Sequence, residues 1–245
     1  MILYFSATGN CKYVAGRLSE AAGDEALSVV DCMREGRREF EDDMIVIVSP
    51  TYYWALPAIM KRFLTGAEFR ADYICLVATY GTTTGAIRQY TEKAIGRKLD
   101  AFFSVRMADS FTLMFDISTP EKLLKFTSTT EQEIEQVINA VSERKRVKSP
   151  SMPKPLAMFF AQPLYNLSAR KTSKLWVRDS CTGCGKCARK CPVQAIEMKN
   201  NRPVWVKDKC EMCLGCLHRC PEFAIQYGNG VSEKHGQYTN PNVTL

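Results

Sequence analysis

Met1-Ile2-Leu3-Tyr4-Phe5 runs directly into Ser6-Ala7-Thr8-Gly9-Asn10, and this junction sets the architecture of the N-terminal half. The first five residues read as a buried strand. The next five are a hydroxyl-rich loop, and Val14, Ala15 and Leu18 then recur at the spacing of one helical face. Strand, loop and helix in this order hold a phosphate: loop amides and Ser/Thr hydroxyls donate hydrogen bonds, and the helix N-terminus adds partial positive charge. The loop carries no Lys or Arg and needs none. Ser6, Thr8, Gly9, Asn10 and Cys11 are the expected phosphate contacts. A thiol is a weak donor, and a Cys11 thiolate would repel phosphate, so a protonated thiol is expected there.

Further apolar runs follow. Ala26 to Val30, Met44 to Val48, Ile74 to Ala78 and Ala101 to Val105 read as strands, with helical patterns near 57–65, 85–95 and 130–146. Thr129 and Thr130 are candidate caps of the last helix, and Arg144-Lys145-Arg146 would complement its dipole. Alternating strands and helices predict an α/β doubly wound parallel sheet in the order 2-1-3-4-5, with ligand at the switch point. Two loops then face that point. One is Pro50-Thr51-Tyr52-Tyr53-Trp54, the other Thr79-Tyr80-Gly81, continuing into Thr82, Thr83 and Thr84, which can instead cap the next helix. A flat isoalloxazine ring needs aromatic faces and backbone polar groups at its edge, and Tyr52, Tyr53, Trp54 and Tyr80 can supply them. The competing reading makes these aromatics core or interface residues.

Eight of eleven cysteines form two copies of one pattern. Cys181, Cys184, Cys187 and Cys191 precede Pro192; Cys210, Cys213, Cys216 and Cys220 precede Pro221. Each copy is the C-x2-C-x2-C-x3-C-P run of bacterial ferredoxins, in which the fourth thiolate serves the other cluster. The reading is one 4Fe-4S cluster on Cys181, Cys184, Cys187 and Cys220, and a second on Cys210, Cys213, Cys216 and Cys191. Structural zinc prefers two separated pairs, and a disulfide framework belongs to secreted chains, whereas no secretory signal is expected before this N-terminus. Cys75 sits in an apolar strand pattern and reads as a small core residue. Cys181, Pro192, Ala195 and Ile196 match Cys210, Pro221, Ala224 and Ile225 at a constant offset, so this half is an internal duplication. Asn200-Asn201 reads as a hairpin turn.

The phosphate loop, Pro50 to Trp54 and both cysteine quartets together resemble flavodoxin–ferredoxin fusion proteins, the EFR-type ferredoxins. The resemblance covers nearly the whole chain. It implies FMN and two 4Fe-4S clusters in one electron-transfer chain, a flavodoxin-like domain over 1–148, a linker over 149–172, and a small α+β ferredoxin domain with a C-terminal tail over 173–245.

The linker opens on Ser149-Pro150-Ser151-Met152-Pro153, which is stiff. Its apolar part, Leu156 to Tyr165, is too short for a membrane span. It is expected to pack on one domain and set the relative pose, with a membrane-surface role as the alternative. Residues 1–149 hold 19 Lys/Arg and 20 Asp/Glu, and residues 150–245 hold 14 and 6. The basic half partly offsets anionic clusters and can steer an acidic redox partner protein, donor or acceptor. No basic run interleaved with aromatics suggests nucleic acid. The expected compartment is the cytoplasm, in an anaerobic or protected setting. The leading expectation is electron transfer between a partner, the clusters and FMN. The alternative is an FMN-dependent oxidoreductase reducing a quinone, flavin or other small molecule; a redox sensor ranks below both. With two histidines only, His218 and His235, no catalytic residue is named; His218 reads as a loop residue.

Overall fold

Apolar runs long enough to be buried on both faces build a parallel sheet. The computed structural model describes the backbone of residues 1–245 and every side chain except that of Lys154. The strands are β1 (Ile2–Tyr4), β2 (Ala26–Ser28), β3 (Met44–Pro50), β4 (Tyr73–Tyr80) and β5 (Ala101–Arg106). All pair in parallel in the order β2-β1-β3-β4-β5. The helices are α1 (Asn10–Ala22), α2 (Val29–Glu35), α3 (Ala58–Thr65), α4 (Ile87–Ile95), α5 (Pro120–Thr127) and α6 (Thr130–Ser142). Alternate strand residues face opposite layers. Leu3, Ile45, Ile47, Ile74 and Leu76 pack with Ile59, Met60 and Phe63 of α3. Ile2, Val46, Val48, Cys75 and Val77 pack with Val14 and Leu18 of α1 and Ile134, Val137 and Val141 of α6.

Three local expectations are corrected. The second strand stops at Ser28, whose hydroxyl accepts a hydrogen bond from the Asp31 amide and caps α2, so Val29 and Val30 are helical despite their β-branching. Helix α6 ends at Ser142 and Arg144 turns left-handed (φ 49°), leaving Arg144 to Arg146 just beyond it. Thr129 and Thr130 do not cap: their hydroxyls donate to Glu133 Oε1 and the Arg106 carbonyl. Helix α2 and helix α5 were not legible as periodic runs, nor were the short strands Glu39–Glu41 and Glu68–Arg70, which pair with each other outside the main sheet.

The linker straps the edge of the sheet. Ser149 N donates to the Phe102 carbonyl (2.7 Å) and Met152 N to the Gly85 carbonyl (2.7 Å). It then forms a helix over residues 154–169, α7, in which π turns alternate with α turns. Widened turns keep every fourth residue on one side, so Ala157, Ala161, Tyr165 and Ala169 form a straight buried stripe. The C-terminal part holds two antiparallel pairs, Leu175–Val177 with Ile225–Tyr227 and Ile196–Lys199 with Arg202–Trp205. Asn200 and Asn201 are both left-handed, as a two-residue hairpin turn requires. Among the described residues no helix is long and apolar enough to cross a membrane.

Candidate functional site

The loop after β1 turns on Gly9 (φ 101°), whose amide donates to Ser6 Oγ (3.1 Å). The C-terminal tail returns onto this loop. Asn240 N donates to the Thr8 carbonyl (2.7 Å), and a Cβ on Gly9 would lie 2.8 Å from Asn240 Cβ and 2.9 Å from Val243 Cγ2. Asn10 is held by three side-chain hydrogen bonds: its Nδ2 donates to the Ala108 carbonyl, and its Oδ1 accepts from Tyr238 Oη (2.8 Å) and Asn240 Nδ2 (3.2 Å). The Cys11 thiol lies 3.2 Å from Thr79 Oγ1, and burial pushes its pKa up to about 12. It is a protonated thiol turned to a neighbouring strand.

A cavity of about 320 Å³ opens at the C-terminal ends of the strands, where the strand order reverses. Ser6, Thr8, Asn10 and Cys11 line it, as do Pro50, Thr51, Tyr52, Tyr53, Trp54, Thr79, Tyr80 and Gly81. Of the expected contacts only Gly9 is absent from the wall; it faces the tail. Tyr53 and Trp54 are both left-handed (φ 48° and 63°), inside a turn closed by reciprocal Tyr52–Ala55 hydrogen bonds. Backbone of this kind in a bulky residue is strained and held by its surroundings: Ala86 N donates to the Trp54 carbonyl, and Gly85 leaves room for the Trp54 backbone. Tyr53 stacks on Tyr165 of α7 (centroids 5.1 Å apart), while Tyr52 meets Phe5 edge-on (6.4 Å) and is sunk in the core layer. Thr82 and Thr83 join the wall, and Thr84 donates to the Pro150 carbonyl; none caps α4.

Sequence reasoning missed two parts of this wall. One is the loop after β5, Met107 to Phe111. There Asp109 sits against Gly81, where any Cβ would collide with it. Burial raises the Asp109 carboxyl to about 6, although it accepts a hydrogen bond from the Phe111 amide. The other is Met212, Cys213 and Leu214 from the second cysteine quartet, with Tyr165 beside them. Contacts between segments so distant in sequence leave no local signal. The residues present fit a flavin nucleotide. Thr51 Oγ1 is buried on this wall without a hydrogen-bond partner, next to amides and aromatic faces.

The cysteines gather in two places. Cys181, Cys184, Cys187 and Cys220 line one cleft. Cys191, Cys210, Cys213 and Cys216 line a second, which Cys187 also reaches. Amides point at sulfur in both: Ala195 N at Cys191 (3.2 Å), Met212 N at Cys210 (3.3 Å) and Ala224 N at Cys220 (3.3 Å). The duplication extends to the backbone. Left-handed Gly183, Gly185 and Gln194 recur as left-handed Met212, Leu214 and Phe223, each pair at the same sequence offset as the cysteines. Among the described residues no group of three or more His, Cys, Asp or Glu closes to the distances of a single metal ion. A cubane places one thiolate on each of four irons, so its ligands stand farther apart. Such four-thiol sets fit 4Fe-4S cubanes.

Buried polar contacts fix the two halves together. His218, read as a loop residue, ends a short helix over Gly215–His218 and is buried. Its Nε2 donates to the Ser110 carbonyl (2.7 Å) and its Nδ1 accepts from Tyr238 N (3.1 Å). Burial lowers its pKa to about 4, so the ring is neutral. Arg219 Nη2 donates to the Ser6 carbonyl (3.1 Å). Glu211, fully buried, accepts from the Ile59 amide at the start of α3 (2.8 Å) and lies 3.3 Å and 3.5 Å from Arg62 and Arg170 nitrogens.

The family described as "Flavodoxin domain" matches residues 1–110, and "4Fe-4S dicluster domain" matches residues 175–221. No curated protein matches the chain. Solved structures similar to it include rubredoxin oxygen:oxidoreductase from the anaerobe Desulfovibrio gigas, at 12% identity over 58% of this chain and 36% of that one (TM-score 0.35). A two-electron reduced flavodoxin of Megasphaera elsdenii matches at 18% identity over 55% of this chain and 97% of its own (TM-score 0.31). The Trp repressor binding protein of Bacillus subtilis matches at 10% identity over 59% and 97% (TM-score 0.33).

Proposed function

We propose that this chain, a flavodoxin domain fused to a 4Fe-4S dicluster domain with FMN and iron–sulfur clusters as cofactors, is an electron carrier serving a redox partner protein. When bound, FMN supplies exchange between two-electron and one-electron chemistry. The observation that carries the proposal is the place of Cys213, which lines both the flavin cavity and the cleft of its own quartet. That shared wall supports a path in which the second quartet, carrying its cluster, exchanges electrons directly with the flavin. Cys184 is exposed, which suits the first quartet as the port facing a partner.

The proposed domains are 1–148, 149–172 and 173–245. In this reading Ser6, Thr8 and the loop amides hold the phosphate at the N-terminus of α1, and Thr51, Thr79, Tyr80 and Gly81 meet the ring edge. Trp54, Tyr53 and Tyr165 wall the ring and exclude water. Cys181, Cys184, Cys187 and Cys220 would hold one cluster, and Cys210, Cys213, Cys216 and Cys191 the other. The partner has an acidic docking face, matching the basic second half. A reducing compartment such as the cytoplasm of an anaerobe suits exposed thiolate-held clusters.

Anaerobic addition of NADH or NADPH tests this reading. A carrier leaves its visible spectrum unchanged, then bleaches fully with a low-potential one-electron donor. Rapid bleaching by a nicotinamide would reveal a hydride site and favour the oxidoreductase reading.

A further inference from the structure

Helix α7 presents an apolar face that neither half of the molecule covers. Opposite its buried stripe stand Leu156, Met158, Phe159, Phe160, Leu164 and Leu167, with Phe159, Phe160 and Leu167 exposed to 68%, 66% and 67%. A contiguous exposed face of this kind marks an interaction site. The charges around it say what it meets. Residues 155–169 carry no charged side chain, whereas the stretch 144–178 contains nine Lys/Arg and no Asp/Glu. Lys145, Arg146, Arg170 and Arg178 are held in ion pairs. The exposed Arg144, Lys148, Lys171 and Lys174 enter none among the described residues. Trp176, beyond the helix, is also exposed.

We propose that α7 lies in the surface of an anionic membrane. Its Phe159–Phe160 side enters the headgroup boundary, and the flanking cations meet lipid phosphates. An aromatic and aliphatic face between cationic flanks is the composition of an interfacial helix, and the complete lack of carboxylates favours an anionic lipid surface over a protein groove. At this length the helix rests on the bilayer and does not span it.

The test is sedimentation of anaerobic holoprotein with phosphatidylcholine vesicles and with vesicles that also contain phosphatidylglycerol. Partition into the anionic vesicles should be at least about tenfold stronger than into neutral ones and should weaken as salt rises. The double variant Phe159→Ser, Phe160→Ser should lose about tenfold or more of that partition while keeping its visible spectrum. The pair Lys171→Glu, Lys174→Glu should lose binding to anionic vesicles selectively. Equal partition of wild type and both variants overturns the proposal. So does wild type that ignores vesicles, whether it runs as a monomer or as a dimer that Phe159→Ser, Phe160→Ser dissociates; the dimer result would assign the face to a second copy.

Discussion

Glu211→Ala should unfasten the second cysteine loop from the flavodoxin half. Glu211 lies between Cys210, a proposed cluster ligand, and the cavity-lining Met212 and is wholly buried. Its loss strands the Ile59 amide, a buried donor at the first turn of α3, which costs about 1–3 kcal/mol. It also leaves Arg170, itself only 17% exposed, facing no carboxylate. Breaking a fully buried ion pair costs about 3–5 kcal/mol. That is an upper bound here, because Arg62 is half exposed and Glu211 Oε1 makes no aligned hydrogen bond with either guanidinium. Together these give about 3 kcal/mol, or roughly a hundredfold in a local opening equilibrium. Glu211→Gln keeps an acceptor for Ile59 and should lose about 1 kcal/mol. Hydrogen exchange of the α3 amides in the holoprotein reads both. Equal exchange in wild type and Glu211→Ala would refute the reasoning, and a glutamine variant as fast as alanine would refute the role of the Ile59 bond.

Other outcomes follow from the same contacts. Gly9→Ala forces a side chain into φ 101°, which costs about 1–2 kcal/mol, and drives Asn240 and Val243 off the loop; FMN dissociation should quicken about tenfold or more, measured by fluorescence on release. Asp109 has a folded pKa of about 6, above its ordinary 3.8. Its contribution to stability is therefore fully present below pH 3.8 and is lost as pH rises through 6. Unfolding of apoprotein should show stability falling between about pH 4 and 6 relative to Asp109→Asn; a constant difference between the two would contradict the burial. Cys191→Ala should remove the cluster signal associated with Cys210, Cys213 and Cys216 and leave the other, by Mössbauer or EPR spectroscopy; damage at the Cys181 set would reverse the ligand assignment.

The parts that sequence made legible were those with local repeats. The sheet order followed from strand–helix alternation, and the quartets from fixed cysteine spacing, because each pattern is completed within a few residues. Asn200-Asn201 was readable because a two-residue turn demands left-handed backbone. The remainder depended on distance. Asn10 lines the cavity as expected, but that its Oδ1 is held by Tyr238 and Asn240 from the far end of the chain left no local signal. Asp109 lies after β5 in a loop without motif, and Tyr165 and Met212 reach the cavity from α7 and from the second cysteine loop. Val29 and Val30 misled because strand propensity is weak beside a serine cap. His218 read as a loop residue, and only the Ser110 carbonyl and the Tyr238 amide, both distant in sequence, make it a buried fastener between halves.

FMN and two cubanes are proposed to form one electron-transfer unit in a single chain. An anaerobic reductive titration of protein analysed for iron, sulfide and flavin tests it most directly. About eight irons and one FMN per chain are expected, with about four one-electron equivalents taken up, one by each cluster and two by the flavin. Zinc in place of iron, four irons, or an uptake of about two equivalents with clusters that stay oxidised would contradict it.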